Sequence, residues 1–145
     1  MDCLQSNRPP GKTRPLSSLR KPEIGIVISV VDDDASVRLA TLDLLNAAGF
    51  DCEAFASGEE YFRSGQTENT QCLILDLNMQ NMDGLAVQHH IVQSGRSIPI
   101  IFITAFPEAR ARAQAIRAGA ICFLAKPYSA DDLLGCLERA LGIPS

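Results

Sequence analysis

The sequence has no long apolar run. Its longest nearly apolar stretches, Ile24 to Val31 and Ile98 to Phe106, fall well short of the roughly 18 residues that a bilayer-spanning helix needs. The first 22 residues also lack the apolar core of a secretory signal. No membrane partner is therefore expected, and the cytoplasm is the expected compartment. The five cysteines, Cys3, Cys52, Cys72, Cys122 and Cys136, are odd in number and contain no C-x-x-C spacing. Four of them lie in apolar or amphipathic segments, so they read as small buried thiols rather than as disulfides or a metal centre. No internal repeat or low-complexity block interrupts the regular part of the chain.

Positive charge is scarce beyond one end. Residues 1–22 carry Arg8, Lys12, Arg14, Arg20 and Lys21 against Asp2 alone, which leaves 8 basic and 16 acidic residues in the rest of a chain of net charge −4. An acidic body argues against sequence-independent nucleic-acid binding by the domain itself, and no direct nucleic-acid partner is expected. The same 22 residues hold Pro9, Pro10, Pro15 and Pro22 with no sustained hydrophobic period. They are expected to form a disordered, basic, proline-rich extension, with residues 23–145 as a single domain. At 145 residues and 46% apolar, the chain is long enough to bury a full core.

From Glu23 the pattern is regular. Ile24 to Val31 suits a strand buried on both faces, and Asp32-Asp33-Asp34 ends it. Val37, Ala40, Thr41, Leu44, Leu45 and Ala48 recur at helical spacing before Gly49, a residue free to take the positive φ of a helix end. A short strand about Cys52 and Ala54 precedes Ser57-Gly58-Glu59-Glu60, which has capping-box spacing. Cys72 to Leu75 is the third strand and runs into Asp76, and a helix is expected from about Leu85 to Gln93. Ile98 to Ile103 is the fourth strand, closed by Thr104, and Pro107 suits the first turn of a helix reaching about Ala118. Ile121 to Ala125 is the fifth strand, closed by Lys126-Pro127. Ser129, Asp131 and Asp132 start a last helix whose Leu133, Leu134, Leu137, Ala140 and Leu141 face the core. Five strands alternating with five helices imply right-handed crossovers, hence a doubly wound α/β domain: a parallel sheet with helices on both faces.

In such a sheet the residues after strands one, three, four and five share its carboxyl edge, where open α/β folds collect ligands. These residues are Asp32 to Asp34, Asp76, Thr104 and Lys126. Converging carboxylates repel one another and need a cation, and oxygen-only ligands select a hard divalent ion such as Mg²⁺. Asp33 and Asp76 are the candidate ligands. A carboxylate beside Mg²⁺ can attack phosphorus and form an acyl phosphate, with the Thr104 hydroxyl and the Lys126 ammonium serving the other phosphate oxygens.

These residues carry a resemblance. Val31-Asp32-Asp33-Asp34, Asp76-Leu77-Asn78-Met79 with Met82-Asp83-Gly84, Thr104-Ala105 and Phe123-Leu124-Ala125-Lys126-Pro127 occur in order and at strand ends. From about Ile24 to Leu141 the chain resembles the receiver domain of two-component response regulators, the CheY-like superfamily. The resemblance implies strand order 2-1-3-4-5 and a phosphoacceptor, Asp76, charged by a sensor histidine kinase or phosphotransfer protein. It implies Mg²⁺ held by Asp33, Asp76 and the backbone carbonyl of Asn78, with Asp32 acting through water. Thr104 and Lys126 would contact the phosphoryl group, Lys126-Pro127 would be a cis peptide, and Thr104 and Phe123 would be the switch pair. As a phenylalanine, Phe123 has no hydroxyl to hold an outward state.

The chain departs from that pattern at Gln80, where a proline usually follows Met79. The change restores a backbone N–H and loosens the loop. Phe106, two residues after Thr104, is expected near the path of an attacking water and to slow hydrolysis. The helix from Pro107 packs through Ala109, Ala111, Ala113 and Ala115 with Ile116 as its one large residue, a lightly packed segment suited to move. Adjacent His89 and His90 do not share a helix face and read as a solvated pair. Homodimerisation through Arg110, Arg112 and Arg117 meeting Asp131, Asp132 or Glu138 is a weaker expectation.

Three rivals remain. A Mg²⁺-dependent phosphatase with an Asp nucleophile wants a second acid two residues on, where Asn78 stands. A flavodoxin-type binder wants a hydroxyl- or glycine-rich phosphate loop where three aspartates stand. A degenerate, phosphate-independent receiver would act only as a binding module. The chain ends about three residues past its last expected helix, so no DNA-binding output domain is expected within it, whether it is a stand-alone regulator or a fragment of a longer one. It is expected to be a switch rather than an enzyme with a separate substrate.

Overall fold

A computed structural model of the chain describes residues 26–142. The extension expected at residues 1–22, and Cys3 within it, lie outside the described residues. The elements run β1 (Val27–Val31), α1 (Ala35–Ala47), β2 (Asp51–Phe55), α2 (Gly58–Ser64), β3 (Cys72–Asp76), α3 (Gly84–Gln93), β4 (Ile100–Thr104), α4 (Ala109–Arg117), β5 (Cys122–Ala125) and α5 (Ala130–Leu141). All strand pairs are parallel and the order is β2-β1-β3-β4-β5.

The two-residue period of the strands divides the core in two. Ile28, Val30, Cys72, Ile74, Ile101, Ile103 and Cys122 point to one face, where Leu45 of α1 and Leu133, Cys136 and Leu137 of α5 cover them. Val31, Leu73, Leu75, Ile100 and Phe102 point to the other, beneath Tyr61 of α2, Val87 and Ile91 of α3 and Ala115 of α4. Every residue of β3 and β4 is buried, which is why both segments read as apolar runs up to their last residues, Asp76 and Thr104. Three of the cysteines, Cys72, Cys122 and Cys136, are buried free thiols within the α1/α5 layer, and Cys52 is half-buried. Burial pushes the Cys72 and Cys122 thiols up to about 12, so both stay as neutral thiols, and Cys122 Sγ also accepts from Arg139 Nη2 at 2.7 Å.

Ser29, a hydroxyl inside β1, is fully buried yet satisfied. Thr70 Oγ1 donates to the Gln66 carbonyl at 2.7 Å and accepts from Tyr61 Oη at 2.8 Å and from Ser29 Oγ at 2.7 Å. One proton and two lone pairs are thereby used up, and β1 is tied to α2 and to the 3₁₀ turn at Gln66–Glu68 that precedes β3.

The start of α4 differs from expectation. α4 begins at Ala109, because Glu108 takes an extended conformation and offers no side-chain cap, so Pro107 lies outside the helix rather than in its first turn. The β3–α3 loop is anchored although Gln80 replaces proline. Met79 is buried, Met82 packs against the same core, and the Gly84 N–H donates to the Leu77 carbonyl at 3.0 Å. Gly84 itself answers a close approach: a Cβ there would stand 2.6 Å from the Asp76 carbonyl oxygen and 2.9 Å from Leu77 Cα. Backbone cannot yield as a flexible side chain can, so Gly84→Ala is expected to cost about 1–3 kcal/mol in urea unfolding. An unchanged unfolding midpoint would show that the loop has room to shift.

Candidate functional site

Each polar residue at the carboxyl edge is fixed by a ladder bond that continues just past its strand. Asp32 N–H donates to the Phe55 carbonyl at 3.1 Å, Leu77 N–H to Ile103 at 2.9 Å, and Lys126 N–H to Thr104 at 2.7 Å. The bonds set the backbone of Asp32, Asp76, Thr104 and Lys126 side by side. The expected convergence is observed.

The Asp32-Asp33-Asp34 run separates into three environments. Asp34 is the N-cap of α1, accepting from Ser36 N–H at 2.9 Å and Val37 N–H at 3.3 Å. Asp33 is exposed. Asp32 is fully buried; its Oδ1 accepts from Asp34 N–H at 2.9 Å, and Arg38 Nη1 donates to its main-chain oxygen at 2.8 Å. Its Oδ2 lies 3.2 Å from Lys126 Nζ, an ion-pair distance, but among the described residues no aligned hydrogen bond reaches it. We take the pair as a Coulombic contact and the oxygen as still available to a ligand.

Asp76 is almost fully buried, with its Oδ1 at 3.2 Å from the Asn78 N–H and 3.7 Å from Lys126 Nζ. Burial pushes its carboxyl up to about 7, and the negative charge of Asp32 adds to the rise; Lys126 and the Asn78 N–H offset it only in part. Lys126 is held above its usual range: burial works against its charge, but the carboxylates of Asp32 and Asp76 outweigh burial.

One ammonium thus faces three carboxylates. Asp32, Asp33 and Asp76 each offer an oxygen, and these oxygens lie within 4.8 Å of one another. The surplus of negative charge, the unbonded buried Oδ2 of Asp32 and the all-oxygen donor set fit a hard divalent cation.

Thr104 is fully buried; its hydroxyl donates to Asn78 Oδ1 and accepts from the Phe106 N–H at 3.0 Å. The resemblance gave Asn78 a role through its backbone carbonyl, and its side chain entered only as the group standing where a phosphatase would carry an acid. Its side-chain bond to Thr104 follows from how the β3–α3 and β4–α4 loops meet, as does the contact of Arg38 with Asp32, and no spacing signals either. Phe123 is half-buried beside Phe102, ring centroids 6.1 Å apart, on the face that α4 covers. Phe106 is 68% exposed. α4 buries only Ala115, and Gln88 of α3 donates from Nε2 to the Ala115 carbonyl at 3.1 Å, a polar tie that compensates for few apolar contacts. Lys126-Pro127 is a cis peptide. His89 and His90 are both exposed, and the His90 ring lies 5.6 Å from that of Phe62. Arg110, Arg112, Arg117, Asp131 and Asp132 are exposed, and none pairs with another among the described residues.

Comparison with known proteins agrees with this geometry. The family model for the response regulator receiver domain matches residues 28–138. The transcriptional regulatory protein TdiR of Thauera aromatica is 39% identical over 116 residues, covering 80% of this chain and 51% of that protein. The response regulator protein TodT of Pseudomonas putida is 37% identical over 115 residues, covering 79% and 51%. The chain therefore spans about half the length of these curated relatives. Among solved structures, the response regulator StyR superposes with a TM-score of 0.76 at 37% identity, over 82% of this chain and 60% of that one. The chemotaxis protein CheY4 of Vibrio cholerae gives 0.73 at 28% identity, over 81% and 99%. Among the described residues no helix is long and apolar enough to cross a membrane.

Proposed function

Because this chain belongs to the response regulator receiver domain family, we propose that it is a phosphorylation switch whose acceptor is Asp76. The observation that carries the proposal is the buried carboxylate of Asp76 between Lys126 at 3.7 Å and two further acids, with a serviceable hydroxyl, Thr104, one strand away. A sensor histidine kinase or phosphotransfer protein would present a phosphohistidine. An Asp76 oxygen forms the new bond to phosphorus as the nitrogen–phosphorus bond breaks, and the departing imidazole nitrogen takes a proton from solvent. Asp33, Asp76 and the backbone carbonyl of Asn78 would hold Mg²⁺, with Asp32 acting through water. When bound, the ion neutralises charge on the phosphoryl oxygens.

The chain's own residues supply the rest. Lys126, kept protonated by Asp32 and Asp76, places a fixed positive charge beside the accepting oxygen. Thr104 offers its hydroxyl proton to a phosphoryl oxygen, and Phe123 moves with it against Phe102 in the α4-covered layer. The lightly anchored α4 is then the segment most readily displaced. No separate substrate is turned over, so the domain is a self-modifying switch, acting in the cytoplasm and handing its state to a partner or to an output unit. The name of the half-matching relative TdiR describes a transcriptional regulator; the acidic balance of this domain argues against sequence-independent nucleic-acid binding by the domain itself.

The test is to incubate the chain with a small acyl phosphate, with and without Mg²⁺, and with a phosphorylated histidine donor protein, and to measure intact mass. A Mg²⁺-dependent gain of one phosphoryl group is expected. No gain from either donor would refute the acceptor role and favour the phosphate-independent binding module.

A further inference from the structure

We propose that the Asn78 side chain is a resting latch on Thr104: it holds the hydroxyl proton that the phosphorylated state needs, and so sets how readily the switch is thrown. The inference rests on the acceptor role given above to Asp76.

A hydroxyl has one proton and two lone pairs. Here the Phe106 N–H, at 3.0 Å, takes up one lone pair of Thr104 Oγ1, and the proton goes to Asn78 Oδ1. Thr104 is fully buried, so no bulk water competes for that proton. The same proton cannot also be donated to a phosphoryl oxygen on Asp76. The two bonds are mutually exclusive, and the hydroxyl is a two-position element rather than a graded one.

Asn78 is placed to sense both groups. Its N–H holds Asp76 Oδ1 at 3.2 Å while its side chain holds Thr104, 26 positions on in the sequence, so one residue links the acceptor on β3 to the switch hydroxyl on β4. The residue is exposed, unlike the threonine it holds. Its amide can turn into water once released and lose little, whereas the buried Thr104 hydroxyl must exchange one acceptor for another. Deleting the amide therefore removes the acceptor of the resting state alone, and a threonine left without one favours any state that provides a phosphoryl oxygen. Asn78 is in this sense a positioning residue, acting through Thr104 rather than on the reacting atoms.

The test is a titration of beryllofluoride, a stable phosphoryl mimic, at saturating Mg²⁺, followed by ¹⁹F NMR of the bound species. It is run on the wild type, Asn78→Ala, Thr104→Val and the double variant, with Thr104→Ser as a second background that keeps the hydroxyl. Loss of one neutral hydrogen bond from the resting state is expected to tighten binding about fivefold in Asn78→Ala. The gain should persist in Thr104→Ser and vanish in Thr104→Val. Unchanged or weaker binding by Asn78→Ala, with the wild type binding normally, overturns the latch alone. An equal gain in Thr104→Val also overturns it, because the effect would then bypass the hydroxyl. A wild type that gives no bound signal sinks the acceptor role and the latch with it.

Discussion

Asp76→Asn is expected to abolish Mg²⁺-dependent phosphoryl uptake completely and, in the same molecule, to raise the melting temperature at neutral and alkaline pH. The first effect follows from replacing the proposed acceptor carboxylate with an amide of the same shape. The second follows from the site's electrostatics. The Asp76 carboxyl titrates at about 7 in the folded chain, because it is buried and lies beside Asp32. An unfolded aspartate titrates near 3.9. The folded state therefore binds this proton more tightly than the unfolded state does. The wild type is favoured in acid and loses stability as pH rises from about 4 through about 7. Above that range the buried charge is fully present, and Asn, which has none, relieves it; Lys126 keeps Asp32 at 3.2 Å as its partner. Thermal melts across pH should show the variant melting about 5 °C or more above the wild type at pH 8, with the gap closing near pH 4. Equal melting temperatures at pH 8 would mean that Lys126 and the Asn78 N–H compensate the charge in full.

Adding Mg²⁺ to the wild type is expected to produce the second large effect. A ligand that binds only the folded chain, at about 100 times its dissociation constant, contributes about 2.7 kcal/mol, which for a domain of this size is a rise of roughly 10 °C. With Asp76 as a ligand, proton and metal would compete for its carboxyl, so the Mg²⁺ shift should be larger at pH 8 than at pH 6. Asp33→Asn separates this from a general salt effect. Asp33 is exposed, so the substitution should leave the metal-free melting temperature nearly unchanged while removing most of the Mg²⁺ shift. Retention of the full shift by Asp33→Asn would take that residue out of the metal site. An equal shift from the same ionic strength of sodium chloride would reduce the effect to screening.

The parts of the fold that could be read in advance are those where burial is complete or where a terminus carries its own signal. β3 and β4 are sealed on both faces, so Cys72–Leu75 and Ile100–Ile103 could hardly be anything but apolar, and the polar Asp76 and Thr104 show where the runs stop. The glycine after α1 takes positive φ as expected, at +92° for Gly49. The bounds of α4 leave little mark in the sequence. Its single buried residue, Ala115, gives almost no periodic signal, and Glu108 supplies no cap, so nothing in the pattern separates Pro107 from the helix that starts after it. The 3₁₀ turn at Gln66–Glu68 has no buried residue of its own and left no trace in the pattern.

What the sequence determined by itself is the set of strand-end side chains. A parallel sheet has one carboxyl edge, so an alternating β/α pattern obliges Asp32, Asp33, Asp76, Thr104 and Lys126 to meet there, whatever the details of packing. What only the tertiary structure decided is how the protons and charges are shared among them. Three consecutive aspartates became a buried Lys126 partner, an exposed candidate ligand and a helix cap, because the turn from β1 into α1 directs adjacent side chains differently. Around the exposed Gln80, the packing of Met79 and Met82 and the side-chain-free approach of Gly84 to the Asp76 carbonyl set the course of the loop. Asn78 meets Thr104 through space, from a loop whose course depends on all of these contacts, and residue spacing carries no record of such a meeting.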